Sequence, residues 1–546
     1  IIVWVVRQKQ NDSADYFLGG RDATWLAIGA SIFASNIGSE HLIGLAGAGA
    51  SSGMAMAHWE IQGWMILILG WVFVPFYSRS MVYTMPEFLE RRYNPQSRTI
   101  LSVISLVSYV LTKVAVTVYA GGLVFQQVFG IKELWGIDFF WIAAIGLVVL
   151  TALYTIFGGM KSVLYTSVLQ TPILLLGSLI ILVLGFKELG GWDEMMRVCG
   201  AVTVNDYGDT MTNLIRSNDD ANFPWLGALI GSAIIGFWYW CTDQFIVQRV
   251  LSGKNEKEAR RGTIFGAYLK LLPVFLFLIP GMIAFALHQK YIGAGGEGFL
   301  PMLANGTANA DAAFPTLVAK LLPAGVKGLV VCGILAALMS SLASLFNSSA
   351  MLFTIDFYKR FRPETPEKKL VGIGQIATVV IVILGILWIP IMRSVGDVLY
   401  TYLQDVQSVL APGIAAAFLL GICWKRTSAQ GGMWGLITGM IIGLTRLGAK
   451  VYYSNAGEVA DSTFKYLFYD MNWLFFCGWM FLFCIIVVIV VSLATEAPTA
   501  EKIQGLVFGT ATKEQKAATR ASWDHWDIIH TVIILAITGA FYWYFW

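Results

Sequence analysis

The sequence predicts an all-α polytopic membrane protein built on an inverted internal repeat, and three observations carry that prediction. First, 57% of the 546 residues are hydrophobic against 13% charged, at a mean hydropathy of +0.67, a balance foreign to soluble domains. Second, apolar runs of about 20 residues, enough to cross a hydrocarbon core of about 30 Å, begin near Trp25, Met54, Ile100, Trp135, Ser162, Trp225, Gly262, Gly325, Leu370, Val395, Gly432, Trp473 and Trp526. Third, two of these runs, about 200 residues apart, carry glycines and polar residues in their middle. An odd number of crossings separates them, so equivalent helices run in opposite directions, the signature of inverted repeats whose discontinuous helices meet at the midplane.

The opening Ile1-Ile2-Val3-Trp4-Val5-Val6 begins mid-run without an initiator Met and reads as the tail of a truncated first span, which makes about 14 transmembrane helices in the full-length protein. The next span, from Trp25, puts Asn36, Gly38, Ser39, Glu40 and His41 at bilayer depth. Polar groups are expensive there, and non-helical backbone is tolerated only where it lines an enclosed cavity. This helix is therefore expected to unwind between Asn36 and Glu40, with a solute at the break. Close packing through small residues explains Gly44, Ala46 and Gly49 but not Glu40 beside His41. The following span carries Glu60, which at that depth needs a partner or a polar ligand. Lys113, inside the third span, is assigned a structural role, paired with an acid or reaching an interface.

The second irregular run, Gly231 to Gln244, gathers glycines, aromatics and the Asp243-Gln244 dipeptide. Lys270 follows it as Glu60 follows the first, and both are expected to face one cavity. The span from Gly325 holds Ser340, Ser341, Ser344, Ser348 and Ser349. Back-bonding to helix carbonyls accounts for the last two, whereas Ser340 and Ser341 are candidate ligands for a small monovalent cation, which hydroxyls and freed carbonyls suffice to hold. Pro412-Gly413 marks a helix that can bend. Residues 497–527 read as a charged cytoplasmic loop without assigned chemistry.

Of the 37 Lys and Arg residues, 24 fall on one side, 11 on the other, and Lys113 and Lys270 lie within spans. The rich side is the cytoplasm, which places both termini and the long loops 188–222 and 289–320 outside. The six cysteines and five histidines show no metal-ligand spacing and no disulfide framework. No nucleophile–base pair suggests an enzyme, and no nucleic-acid partner is expected.

Taken together, Asn36-Ile37-Gly38-Ser39-Glu40-His41, Trp238-Tyr239-Trp240-Cys241-Thr242-Asp243-Gln244, Tyr268-Leu269-Lys270-Leu271, Leu338-Met339-Ser340-Ser341-Leu342 with Phe346-Asn347-Ser348, and Phe418-Leu419-Leu420 to Trp424-Lys425-Arg426 resemble the sodium solute symporter family. Within it the resemblance is to the sodium/glucose cotransporters, the bacterial galactose member included, and it covers nearly the whole chain. It implies a LeuT-type core of ten helices in two inverted five-helix repeats, 24–187 and 223–424, with one helix before and further helices over 425–546, all in one transmembrane domain spanning 1–546. It implies a sodium site of the Ala34, Ile37 and Ala337 carbonyls with the Ser340 and Ser341 hydroxyls. It also implies a substrate site in which Asn36, His41, Glu60, Lys270 and Gln404 bond hydroxyls, Tyr239 and Tyr400 cover the ring, and Trp240 stands close by. Such a set suits a polyol, whose rim needs donors and acceptors and whose ring face needs an apolar platform.

The leading reading is sodium-coupled symport of a neutral monosaccharide, glucose- or galactose-like, across a cell membrane by alternating access. Inositol or a carboxylate-bearing solute such as an amino acid or sialic acid is the alternative within transporters; a channel or a transporter-derived sensor is the alternative of another class. A carboxylate favours an uncompensated cation, whereas here Glu60 accompanies Lys270. Three positions depart from the family pattern: Ser167 where many members carry an acid, Ala343 where members with a second sodium site often carry Thr, and Gly236 where Asn or Thr faces the sugar. The first two predict one sodium per substrate, and the third leaves the sugar open.

Overall fold

The computed structural model describes residues 12–38, 40–303, 306–392, 399–455 and 460–546, without side chains at 110–112, 115, 123, 127, 388–392, 399–402, 451 and 454–455. The expected tail of a truncated span, residues 1–6, lies outside them. Among the described residues ten helical runs are long and apolar enough to cross a membrane. All thirteen predicted spans have helical counterparts, some merged and some interrupted.

The first span is interrupted as its polar residues predict. Helix α1 (Trp25–Asn36) stops at Ile37, whose φ/ψ of −82°/100° is extended, and the chain resumes as a π-helical turn over Glu40–Leu45 leading into α2 (Ala46–Ser52). The second span is also broken: α3 (Ala57–Glu60) and α4 (Gly63–Ile68) are separated by Ile61 and Gln62, and α5 (Val74–Ser80) completes the crossing. The third is α6 (Pro95–Ser108) continued by α7 (Ala115–Phe129). A hairpin of two two-residue strands, β1 (Glu133–Leu134) and β2 (Ile137–Asp138), pairs Glu133 with Asp138 and Leu134 with Ile137. Helix α8 (Phe139–Leu189) is 51 residues, about 76 Å at 1.5 Å per residue, more than twice a hydrocarbon core. It is two predicted spans joined at Gly159, whose φ of 52° lies in the left-handed region that glycine tolerates and whose added Cβ would stand 2.5 Å from the Tyr16 carbonyl oxygen.

The second irregular run repeats the pattern. Helix α9 (Trp225–Gly236) passes into a π-helical turn over Phe237–Thr242, Asp243 is extended at −76°/127°, and its carboxylate caps α10 (Gln244–Leu251) by accepting the Phe245 N–H. The following span breaks as well, after α11 (Glu256–Lys270), with Pro273 preceding a π-helical turn and α12 (Ile279–Gly293). Then come α13 (Ala324–Met351), α14 (Glu367–Met392), α15 (Leu399–Cys423), α16 (Ala429–Asn455), α17 (Trp473–Ala494) and α18 (His525–Tyr544). Pro412 lies inside α15.

Packing draws the interrupted helices together. The most extensive contact runs between α8 and α13, α1 lies along α11, and α15, α16 and α17 form a mutually packed group. Glycine makes the closest approaches: a Cβ on Gly49 would meet the Leu278 carbonyl oxygen at 2.2 Å, and one on Gly281 the Ala46 oxygen at 2.0 Å. With no hydrophobic drive between helices in lipid, such contacts supply the van der Waals attraction that holds α2 to α12.

Candidate functional site

Glu60 ends α3 and Lys270 ends α11, each at the interruption of its span, so each side chain is released toward the space between the two broken helices. Lys270 Nζ donates to Glu60 Oε2 at 2.6 Å, and the residues are only 3% and 1% exposed. His41 Nε2 lies 3.2 Å from the same Glu60 oxygen and 3.3 Å from Asn36 Nδ2. The two predicted charges thus meet, and the polar residues flanking the first break join them. Lys270 also stands 5.3 Å from the centre of the Trp240 ring, within cation–π range. These side chains line one cavity with Glu40, Tyr239, Gln404 and Gln407, so every predicted hydroxyl-binding residue is in one place. Tyr400 lies outside the residues whose side chains are described.

Trp59, Gln62 and Gly236 line the same cavity. Trp59 stacks on Trp473 of α17 with centroids 5.5 Å apart and meets Phe223 edge-on at 6.2 Å. Among the described residues its indole N–H is buried without a partner, as are Gln404 Oε1 and His41 Nδ1. A second buried pair adjoins the cavity. Lys113 Nζ donates to Asp243 Oδ2 at 2.6 Å, Tyr109 donates to the other carboxylate oxygen, and Lys113 lies 4.7 Å from the Tyr239 and Phe245 ring centres. This gives Lys113 the acid its structural reading requires, at the second helix break.

A cluster of hydroxyls lies where α13 crosses the unwound end of α1. Ser341 Oγ donates to the carbonyls of Ser35 at 3.1 Å and Ile37 at 3.3 Å, at the end of α1, where a helix has carbonyls to offer beyond its own ladder. A Cβ on Gly38 would come 2.7 Å from Ser341 Oγ, so glycine there admits the contact. Ser35 and Ser344 hydroxyls are 2.6 Å apart. Ser340 turns instead toward α8, 3.3 Å from Ser167 Oγ. Ala34 precedes Ser35 in α1 and Ala337 lies one turn before Ser341 in α13, both buried.

Residues 16–439 match the Sodium:solute symporter family model. The chain belongs to the sodium:solute symporter family. Among its relatives, the human sodium/myo-inositol cotransporter 2 is 36% identical over 518 residues, covering 92% of this chain and 76% of the relative. The sodium/myo-inositol cotransporter of Canis lupus familiaris is 37% identical over 525 residues, covering 92% and 72%. A solved Na+-coupled sialic acid symporter superposes with a TM-score of 0.71 at 22% identity, covering 91% of this chain and 95% of that one, which shows a shared fold. This symporter is accordingly a multi-pass, sodium-coupled solute carrier of the LeuT type, with sodium as the co-transported ion. Four polar or aromatic residues of the cavity and hydroxyl cluster were not singled out from sequence: Ser35, Trp59, Gln62 and Gln407. Only Gln407, one helical turn from Gln404 in α15, had a usable signal.

Proposed function

We propose that this symporter couples sodium entry to uptake of a neutral cyclic polyol, of the myo-inositol class ahead of a glucose- or galactose-like monosaccharide, by alternating access. The observation that carries the reading is the state of the cavity's polar groups. Its cation, Lys270, is already neutralised by Glu60, while an indole donor, a carboxamide acceptor and an imidazole nitrogen have no partner among the described residues. A hydroxyl donates and accepts, so a ring of hydroxyls serves all three; a carboxylate only accepts and would bring an uncompensated charge to a buried site. The relatives named for myo-inositol support reading that polyol ahead of the sugars.

In this reading Asn36, His41, Glu60, Lys270 and Gln404 bond the hydroxyls, and Tyr239, Tyr400 and Trp240 cover the ring. Ser341 and the Ile37 carbonyl, with Ala34, Ala337 and Ser340, take the sodium ion. Repeats 24–187 and 223–424 move against each other around the site, and both termini face outside the cell membrane. Purified protein in proteoliposomes tests the substrate class: an inward sodium gradient is expected to drive labelled myo-inositol uptake above glucose and galactose, with sialic acid and amino acids at background. Sodium-driven uptake of an acidic solute in preference to every polyol overturns the reading.

A further inference from the structure

Gln62 occupies the interruption between α3 and α4, and its side chain crosses to the facing helix α9. There its Nε2 donates to the Ser232 carbonyl at 2.8 Å, and the carboxamide lies directly over Gly236. A Cβ on Gly236 would stand 2.4 Å from Gln62 Oε1 and 2.8 Å from Cδ, backed by Gln62's own bond to Ser232, so a side chain at position 236 and this seat for Gln62 exclude each other. Because the NH2 group is committed to a carbonyl, the amide orientation is fixed by its partner, and the oxygen is the end presented along the cavity wall shared with Lys270 and Gln404.

We propose that Gln62, seated over Gly236, is a specificity-determining residue: its carboxamide oxygen accepts a hydrogen bond from one substrate hydroxyl and turns away groups that offer only acceptors. The proposal rests on the polyol reading and sharpens it. The oxygen belongs to a side chain held at its other end, so it meets the substrate without further ordering. A carboxylate or ether oxygen at the same place would set acceptor against acceptor in a buried site.

The test compares myo-inositol with a set of mono-deoxy inositols, each lacking one hydroxyl, as substrates of parent and Gln62→Met proteoliposomes. Gln62→Met is expected to weaken apparent affinity for myo-inositol by about 5- to 150-fold, the range of one lost hydrogen bond to a buried group, with sodium affinity held. The penalty should vanish for the one analogue that lacks the contacted hydroxyl. A penalty equal for all analogues, or none, overturns the proposal. Gly236→Ala supplies a second arm: it should weaken substrate binding in the parent and add little in a Gln62→Ala background. Additive effects on whichever solute is carried overturn the seat of Gln62 over Gly236 alone, whereas parent protein that ignores polyols and carries an acidic solute overturns both the polyol reading and the acceptor role.

Discussion

At the scale of single residues, burial separates what the sequence could disclose from what it could not. Glu60 and Lys270 were legible because an ionisable group inside a membrane demands compensation, and each proves to compensate the other at 2.6 Å. Gln62 and Ser35 make no such demand on their own; their roles come from the carbonyl or hydroxyl that tertiary packing sets opposite them. Ser340 and Ser341 looked equivalent in sequence, yet neighbours on a helix point about 100° apart. Ser341 therefore faces the carbonyls at the end of α1, while Ser340 faces Ser167. Ser341→Ala is accordingly expected to lower sodium affinity by about 5- to 150-fold, one lost buried hydroxyl ligand, and to do so more than Ser340→Ala. Sodium titration of substrate uptake checks the order, and equal effects would show that the two hydroxyls contribute alike to holding the ion. Truncating one member of a buried pair leaves its partner uncompensated, about 3–5 kcal/mol. Lys270→Met should therefore melt at a lower temperature in detergent than the Glu60→Gln, Lys270→Met double variant.

Among elements, the interruptions in the helices position the chemistry. Two of the four broken spans, at Asn36–Glu40 and Gly231–Gln244, announced themselves by polar residues and glycines in apolar runs. The breaks after Glu60 and Lys270 did not, since Ile61-Gln62 and Leu271-Leu272 carry no glycine and only Pro273 hints at the second. Each break puts a charged side chain at a helix end, where Lys270 at the C-terminus of α11 also meets the negative end of the helix dipole. The halves must then be held by their neighbours. For α2 that neighbour is α12, through the reciprocal contacts of Gly49 with Leu278 and Gly281 with Ala46. Both Cβ positions would strike backbone, which has no rotamer to yield. Gly49→Ala and Gly281→Ala should each destabilise the protein by about 1–3 kcal/mol, the usual penalty of overpacking, read as a lower melting temperature. Gly448→Ala, with open space around its Cβ position, is the control expected to melt like the parent.

For the whole molecule, the same accounting of partners bears on coupling. A second sodium would need an oxygen cluster of its own, and two buried carboxylates that could supply one, Asp243 and Asp356, are committed, the first to Lys113 and Tyr109, the second to Arg98, Thr84 and Ser102. Ser167 donates to the Val163 carbonyl, and Ala343 offers no oxygen from its side chain. Counting labelled sodium against labelled substrate is expected to give one to one; two to one would mean that neutral oxygens alone build a second site. In the loop predicted to lie outside, Asp220 is opposed by burial, yet the Phe223 N–H, Asn205, the Asn222 N–H and Arg216 hold its carboxyl below the usual carboxylate range. A depressed carboxyl stabilises above its unfolded value and loses that contribution as pH falls toward the folded one. The melting advantage of the parent over Asp220→Asn, present at pH 7, should therefore fade below about pH 4. The two ion pairs beside the cavity have one more consequence, an electrical one. A membrane potential does about 2.3 kcal/mol of work per elementary charge per 100 mV, but Glu60 with Lys270 and Lys113 with Asp243 each sum to zero, so neither pair is dragged by the field however the helices tilt, and among these groups the voltage is left to act on the co-transported sodium ion.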